Sequence, residues 1–381
     1  MSASTAAPGD DSLVVLDYAE LLASPPSPAA LAAVARGFGA GGLGLLLVRG
    51  VPGYAEARAA CLPTAFRFGA LPRATQAKYE DAASSYSFGW SHGKEKLEGG
   101  RADTAKGSYY ANPTHDAPAR ADEASRWPPF FAPNVWPVEA DAPGFEAAFK
   151  ALGRLLVGTG LLLSRAVDAH VRAQLPAYGD AARGLEALEA TVAGSRCAKA
   201  RLLFYFPAPA TGAAGGAAEG AAELGATDVS SWCGWHNDHG ALTALASAMY
   251  FDADGREIAC PDPRAGLFIR SRSGALVRAA IPPDCCAFQC GETLQIASGG
   301  LLRATPHCVR AADAAGVSRA TMAVFMEPEP LARMSPPAGA DVAALLAGAE
   351  HLPRGVPTLA SRFKIGDSFA EFTTKTLAAY Y

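Results

Sequence analysis

Short β-like segments in the second half of the chain place the strongest constraint on its fold. After Arg196, runs of apolar and β-branched residues recur between turn residues, at 200–206, 241–251, 267–270, 275–279, 285–289 and 319–325. This spacing is typical of an antiparallel sandwich or barrel. Residues 208–227, between the first two runs, carry few side chains that could pack, and we predict a flexible surface insertion there.

The first half of the chain has more helical patterns. Apolar periodicity predicts helices at about 29–38 and 55–68, and a long helix after Pro143-Gly144. The fold class is therefore predicted as mixed α/β with a mainly β core. We divide the chain into a disordered tail (1–11), a helix-rich N-terminal region (12–190), a β core (191–332) and a C-terminal helix and tail (333–381).

Composition excludes several classes of protein. Half of the residues are hydrophobic, and 33 basic against 37 acidic residues leave a net charge of −4, so neither global disorder nor nucleic-acid binding is expected. The longest apolar runs, 43–48 and 155–163, fall short of the roughly 20 residues of a membrane span.

The N-terminus does not have the pattern of a secretory signal, and the eight cysteines contain no CxxC pair. We expect reduced thiols and a cytoplasmic location.

Two histidines and one aspartate are the strongest candidate site. His236 and Asp238 are two residues apart, and on a strand such positions face the same way. His307 can supply a third ligand, which gives the two-histidine, one-carboxylate set of non-haem Fe(II) oxygenases. The alternative is a hydrogen-bonded core histidine at 236 and a capping residue at 307.

A buried cation is predicted near this set. Strand alternation places Arg319 and Thr321 on one face of an apolar segment, where an unpaired guanidinium is costly. A guanidinium and a hydroxyl together suit the far carboxylate of a dicarboxylate co-substrate. The alternative is an ordinary ion pair between Arg319 and a nearby acidic residue.

Over nearly its whole length the chain resembles the isopenicillin N synthase-like branch of the Fe(II)/2-oxoglutarate-dependent dioxygenases. The segments that carry the resemblance are WHNDHGALT, GLFIRSRSGALVRAAIP, CCAFQCGETLQIASGGLLRATPHCV and SRATMAVFMEP, with LVVLDYAEL, GLGLLLVRGVPG and SYSFGW in the N-terminal half. The resemblance implies a double-stranded β-helix (jelly roll) flanked by N-terminal helices. It also implies Fe(II) on His236, Asp238 and His307, and 2-oxoglutarate on Arg319 and Thr321. O₂ is the implied oxidant, and ascorbate a candidate reductant.

The chain departs from the family pattern at several positions. Thr321 stands where serine is usual, and Cys308 where arginine is common. The family's second tyrosine of an NYYP strand falls on Phe206, so that Tyr205 would face away from the co-substrate unless a bulge intervenes. Tyr205 is therefore a secondary candidate for binding 2-oxoglutarate.

The implied activity is hydroxylation, desaturation or cyclisation of a small organic substrate, with release of succinate and CO₂ and no obligate protein partner. Two alternatives stay open: an Fe(II) oxidase of the same family that does not use 2-oxoglutarate, and a catalytically silent jelly-roll binding protein. Aromatic residues of the N-terminal loops and the C-terminal end are candidates either for the substrate pocket or for simple wall packing: Tyr86, Phe88, Trp90, His92, Tyr109, Tyr110, Tyr380 and Tyr381.

Overall fold

Two β-sheets form the centre of this computed structural model, which describes residues 12–95, 102–207, 231–347 and 351–380. The strands of the described chain are β1 (Val14–Asp17), β2 (Leu45–Arg49), β3 (Gly89–His92), β4 (Lys106–Ala111), β5 (Lys199–Tyr205), β6 (Ser231–His236), β7 (Leu242–Ala246), β8 (Met249–Phe251), β9 (Glu257–Ile258), β10 (Gly266–Arg270), β11 (Leu276–Arg278), β12 (Cys285–Cys290), β13 (His307–Arg310) and β14 (Ser318–Met326).

The larger sheet draws on both halves of the chain. Its order is β1-β2-β12-β7-β14-β5-β4-β3, and β8 and β9 extend it beside β14. All of its pairs are antiparallel except β1 with β2. The smaller sheet has the order β11-β10-β13-β6 and is antiparallel throughout. The mixed α/β class with a mainly β core is therefore confirmed.

An apolar layer joins the two sheets. It takes alternate residues of the large sheet, such as Leu47 and Leu203, and packs them with Ile269, Val309 and Trp232 of the small sheet. Because successive side chains of a strand point to opposite faces, the intervening residues of the large sheet enter a second core under the helices. The two sheets thus enclose an interior that is separate from the helical layer.

Helices cover the outer face of the large sheet. The α-helices are α1 (Tyr18–Leu21), α2 (Pro28–Phe38), α3 (Tyr54–Gly69), α4 (Arg73–Gln76), α5 (Ala121–Arg126), α6 (Pro128–Phe131), α7 (Phe145–Gln174), α8 (Leu188–Gly194), α9 (Glu292–Ala297), α10 (Val342–Leu346) and α11 (Phe369–Tyr380). Single 3₁₀ turns lie at Ala77–Tyr79 and Leu359–Ser361.

The long helix α7 is the centre of the helical layer. It follows Gly144, whose φ of 68° lets the chain turn into the helix, and its predicted apolar face is buried at Phe149, Leu152 and Leu156. The segment Phe145–Arg172 is long and apolar enough to cross a membrane by length and composition, but half of its most apolar window is buried inside the protein. Packing against α2, α3 and α8 accounts for its apolar character.

The structure refines several predicted elements. The predicted segment 241–251 is two strands, β7 and β8, interrupted at Ser247, whose N–H donates to the hydroxyl of Tyr54 (2.8 Å). The strand β6 was not among the predicted segments. The predicted tail (1–11), the predicted insertion (208–227) and Tyr381 lie outside the described residues, and the division of the chain at 190 stays a prediction.

Candidate metal centre

Two histidines and one aspartate meet on the small sheet. His236 is the last residue of β6 and His307 the first of β13, and the two lie opposite each other in the strand register. Each Nε2 atom is 3.8 Å from Oδ1 of Asp238, and the imidazole centroids are 4.2 Å apart. One ligand atom from each residue lies within 4.8 Å of the others. Two imidazole nitrogens and a carboxylate at this separation can hold a divalent transition metal.

Backbone carbonyls fix the proton of each imidazole. Nδ1 of His236 lies 2.8 Å from the carbonyl of Gly234, and Nδ1 of His307 lies 3.2 Å from that of Thr305. A carbonyl can only accept, so Nδ1 carries a proton in each ring and Nε2 is the nitrogen directed toward Asp238. Oδ2 of Asp238 is buried and has no hydrogen-bond partner among the described residues. The donor atoms therefore fit a metal ion.

Electrostatics favour the ligating protonation states of His307 and Asp238 but not that of His236. Burial alone would lower the pKa of His236, but Cys233 and Asp238 outweigh it and raise that pKa to about 9, so a metal must displace a proton there. Burial, together with the nearby His236, lowers the pKa of His307 to about 4, so this imidazole is neutral at pH 7. Burial alone would raise the pKa of Asp238, but the two histidines outweigh it and lower that pKa. A neutral imidazole and an ionised carboxylate are the ligating forms.

Tertiary contacts, rather than strand alternation, position Asp238. The i, i+2 spacing predicts His236 and Asp238 on one strand, but β6 ends at His236 and Asp238 lies in an irregular segment. Its carbonyl accepts the N–H of Glu292 at the start of α9 (2.8 Å). The N–H of Asn237 donates to the hydroxyl of Tyr380 in α11 (3.0 Å). The i, i+2 argument is therefore wrong in its reason, although the two side chains do converge.

A glycine allows α9 to approach this segment. A Cβ atom on Gly291 would lie 2.0 Å from the carbonyl oxygen of Gly240, a separation that no side chain tolerates. The N–H of Gly291 also donates to the carbonyl of Ala241 (3.1 Å). Gly291 thus lets the start of α9 hold the backbone that carries Asp238.

Arg319 is a buried cation, and no described residue is its anionic partner. It is 6% exposed, and its Nε and Nη1 atoms have no hydrogen-bond partner among the described residues. It lies opposite Tyr205 of β5 and Tyr250 of β8 in the register, and opposite residues share one face of a sheet. Its guanidinium lies 5.0 Å from the centre of the Tyr205 ring. The predicted alternative, an ion pair of Arg319, is not found within the described residues, so free N–H donors remain for an anion.

Thr321 shares that face but donates elsewhere. Its hydroxyl lies 2.7 Å from the carbonyl of Ala246, which can only accept. The proton of this hydroxyl is therefore directed to the backbone and is not offered to an anion in this structure.

Tyr205 faces the interior, contrary to the orientation expected from the sequence. It is 2% exposed and packs against Trp232 of the small sheet, with ring centroids 5.3 Å apart. Phe206, which takes the family's tyrosine position, stacks outside the interior on His92 (4.7 Å). The expectation failed because the register between β5 and β14, which a single strand does not reveal, decides which face each residue takes. Tyr250, which no sequence argument singled out, joins the same cluster.

A polar network lines the interior next to Tyr205. Glu95 accepts from Arg201 (2.7 Å) and pairs with Lys106 (3.0 Å), and Lys106 also pairs with Asp103. Lys106 lies opposite Tyr205 in the register. Burial alone would raise the pKa of Glu95, but the charges of Arg201 and Lys106 lower it to about 2. Sequence analysis missed this network because its members are far apart in the chain.

The aromatic candidates divide between packing and the site. Phe88, Trp90 and Tyr109 are at most 2% exposed, and the latter two pack on Phe68 in the helical core. These three are structural. Tyr110 points to the interior, where its hydroxyl contacts Glu95 (3.3 Å). Tyr380 contacts the metal-binding segment through the N–H of Asn237. The remaining two, Tyr86 and His92, pack near the ends of β3, with Lys94 and Phe206 respectively.

Solved structures of known oxygenases share this architecture. A full-length Neurospora crassa protein in complex with alpha-KG and 5-formyluracil has a TM-score of 0.62 at 18% identity, with 96% of each chain covered. A Caulobacter crescentus structure described under the 2OG-Fe(II) oxygenase family has a TM-score of 0.64 at 19% identity, over 96% of this chain and 99% of that one. JOX2 in complex with 2OG, Fe and JA has a TM-score of 0.60 at 15% identity, over 96% and 85%. No protein-family model and no curated protein matches the chain.

The chain therefore has the fold of the Fe(II)/2-oxoglutarate oxygenases. The resemblance inferred from sequence motifs is confirmed at the level of the fold. Because the identities are below 20%, the likeness establishes the fold, and the activity has to rest on the residues of this chain.

Proposed function

We propose that this protein is a non-haem Fe(II)- and 2-oxoglutarate-dependent dioxygenase that oxidises a small organic substrate. The observation that carries the proposal is Arg319 in the interior between the sheets, where its Nε and Nη1 groups have no hydrogen-bond partner among the described residues. A buried cation without a counter-charge is costly. A dicarboxylate that chelates a metal with one end and reaches Arg319 with the other would supply that charge.

The chain's own residues hold the metal and control its surroundings. His236, Asp238 and His307 would hold Fe(II) through two imidazole nitrogens and one carboxylate oxygen. When bound, Fe(II) with 2-oxoglutarate and O₂ supplies the oxidation of a C–H bond, with succinate and CO₂ as products and ascorbate as a candidate reductant. The carbonyls of Gly234 and Thr305 keep each Nε2 available for the metal.

The interior network and the neighbours support a small, partly polar substrate. Arg201, Lys106 and Glu95 present charged groups on the sheet face that also carries Tyr205. The Neurospora crassa protein is described with 5-formyluracil or thymine, and JOX2 with JA. By analogy, the substrate here is a small organic molecule that is hydroxylated, desaturated or cyclised.

Other predictions form part of the same proposal. The two facing sheets constitute a double-stranded β-helix, with 12–190 as the substrate-side region, 191–332 as the catalytic core and 333–381 as its C-terminal cover. The protein acts in the cytoplasm without an obligate protein partner.

The test is anaerobic addition of Fe(II) and then 2-oxoglutarate to the purified protein. We expect one Fe(II) per chain, and then the weak visible charge-transfer band of the chelate. Iron binding without the band would favour an oxidase that does not use 2-oxoglutarate. Absence of iron binding would favour the interpretation as a catalytically silent jelly-roll binding protein.

Variants make the test specific to the proposed residues. Asp238→Ala should abolish Fe(II) binding and turnover while the circular dichroism spectrum is retained. His170→Ala, which alters a half-buried histidine on α7, should change neither. Arg319→Gln should keep Fe(II) binding but weaken the binding of 2-oxoglutarate by roughly 10- to 100-fold, because charge-assisted hydrogen bonds are lost. Full Fe(II) binding by Asp238→Ala would disprove the ligand assignment.

A further inference from the structure

A second cavity lies beside the metal centre and is built from other residues. Its volume is about 330 Å³, within the range of small-molecule sites. Its wall includes Arg272, Arg303, Glu292 and Asn237, together with leucines from the C-terminal region. None of the three metal ligands, nor Arg319, contributes to the wall. The cavity therefore adjoins the candidate metal centre, because Asn237 and Pro306 are chain neighbours of the ligands, but other side chains line it.

Two arginines make one side of this cavity strongly positive. Arg272 follows β10 and Arg303 precedes β13, so different parts of the chain bring them to one wall. Among the described residues neither forms an ion pair with a carboxylate. Arg272 donates to the carbonyl of Ala304 (2.7 Å), and Arg303 to that of Ala344 (3.3 Å). Most of their N–H groups thus have no partner in the parts of the chain that the structure describes.

The acidic residue of the wall does not neutralise these arginines. The carboxylate of Glu292 is paired with Arg362, and both side chains are at most 2% exposed. The same carboxylate accepts from the side chain of Asn237 (2.9 Å). Within the described ranges, no carboxylate therefore compensates the positive charge of Arg272 and Arg303.

Burial disfavours the charge of both arginines, and Arg303 also disfavours that of Arg272. Burial and the nearby Arg303 lower the pKa of Arg272 to about 10. Burial likewise lowers the pKa of Arg303. Nε of Arg272 is buried without a partner among the described residues. Two like charges held at one partly buried wall are unfavourable unless an anion binds between them.

We propose that this cavity binds a small organic anion, a carboxylate or a phosphate ester, through Arg272 and Arg303. The apolar part of the ligand lies against Leu345, Leu352 and Leu359, which line the same cavity. Guanidinium groups suit both carboxylate and phosphate oxygens, since they donate planar pairs of hydrogen bonds. This site does not depend on the proposed dioxygenase activity.

The test is titration calorimetry of the metal-free, full-length protein. The probes are phenylacetate, phenyl phosphate and inorganic phosphate, with benzyl alcohol as the uncharged match. We expect saturable binding of at least one of the two aromatic anions and none of the alcohol. Binding of phenyl phosphate but not phenylacetate would identify a phosphate ester, and the reverse a carboxylate. Binding of inorganic phosphate alone, or of none of the anions, would overturn the proposal.

Variants show whether these arginines hold the anion. The double change Arg272→Gln and Arg303→Gln should weaken binding about tenfold or more, because charge-assisted hydrogen bonds are lost. Arg256→Gln, at an exposed arginine paired with Asp254, is the matched control and should bind as the native chain does. Arg319→Gln should also bind normally. Loss of binding in Arg319→Gln but not in the double variant would overturn the proposal.

Thermal unfolding separates ligand binding from a structural role. Without ligand, the double variant should unfold at the native temperature or higher, because the like charges no longer repel. Should it unfold well below that temperature, the arginines would be structural and the proposal wrong. Arg303→Gln alone removes only one long hydrogen bond. If the double variant does not fold, anion binding is therefore measured with this single variant.

Discussion

At the scale of single residues, the charged groups of the interior depend on one another. Glu95 carries a pKa of about 2 because the charges of Arg201 and Lys106 outweigh its burial. Its carboxylate is about a quarter exposed, so solvent screens part of this interaction. The same screening does not reach Arg319, which is 6% exposed and has no acidic partner among the described residues. Arg201 and Lys106 are thus paired with a carboxylate of the chain, whereas Arg319 can take an anionic ligand.

The depressed pKa of Glu95 predicts a specific loss of stability in acid. A group whose folded pKa lies below its unfolded value stabilises the fold above the unfolded value, and this contribution is lost as pH falls toward the folded value. For Glu95 the window runs from 4.5 down to about 2. Glu95→Gln should lower the free energy of unfolding by roughly 1–3 kcal/mol at pH 7 and by less at pH 3.

Urea unfolding of both proteins at several pH values measures this difference. Glu186→Gln, at an exposed glutamate near α8, is the matched control and should follow the native curve. A constant difference between native and Glu95→Gln from pH 7 to pH 3 would contradict the assignment of the pKa to these charges.

At the scale of elements, the start of α9 determines where the metal-binding loop lies. Its backbone N–H groups bond to the carbonyls of Asp238, Gly240 and Ala241. The adjoining hydroxyl of Thr293 donates to the carbonyl of His239 (2.6 Å). A six-residue helix therefore holds most of this loop, and the N–H of Ala241 adds a bond to the carbonyl of Met326 in β14 (3.1 Å).

This contact predicts that Gly291→Ala impairs the metal centre. The added Cβ would meet the carbonyl oxygen of Gly240 at 2.0 Å, so α9 or the loop must shift. We expect Fe(II) binding at least tenfold weaker and a loss of about 1–3 kcal/mol of stability, as for other overpacked sites. Isothermal titration with Fe(II) and urea unfolding measure the two effects.

A second glycine provides the control for the same chemical change. Gly158 is exposed in α7, and a Cβ there would meet nothing within 4 Å. Gly158→Ala should stabilise the protein by roughly 0.5–1 kcal/mol through helix propensity and leave Fe(II) binding unchanged. Equal effects of the two substitutions on Fe(II) binding would exclude the steric account of Gly291.

At the scale of the whole molecule, the two halves of the chain complete one sheet. The strand β2 pairs with β12, and β4 pairs with β5, so N-terminal strands cover both sides of the C-terminal ones. The helix α7 then packs on β7 and β14. The region predicted as a β core, 191–332, would expose both edges and its outer apolar face if it were separated.

The fragment 191–332, expressed alone, should therefore not fold. We expect a circular dichroism spectrum without the native signal, rapid proteolysis and aggregation through unpaired strands. The full-length protein digested under the same conditions is the control. A soluble, protease-resistant fragment that binds Fe(II) would show instead that the N-terminal region is dispensable for the fold.

The sequence predicted the local features of the fold and much of the candidate site. Apolar periodicity was enough for α2, α3 and α7, and for most strands of the second half, because each pattern reports on the residues next to it. The motifs also identified the two histidines, Asp238 and Arg319. Tyr250 and the network around Glu95 were missed, since their partners come from distant strands.

Local sequence patterns were enough to identify most helices and strands and the chemically distinctive residues. Only the tertiary structure decided the register that turns Tyr205 inward, the contact with α9 that places Asp238, and the meeting of Arg272 with Arg303. The physical reason is that alternation and periodicity depend on neighbouring residues. Register and convergence instead depend on the packing of segments that are far apart along the chain.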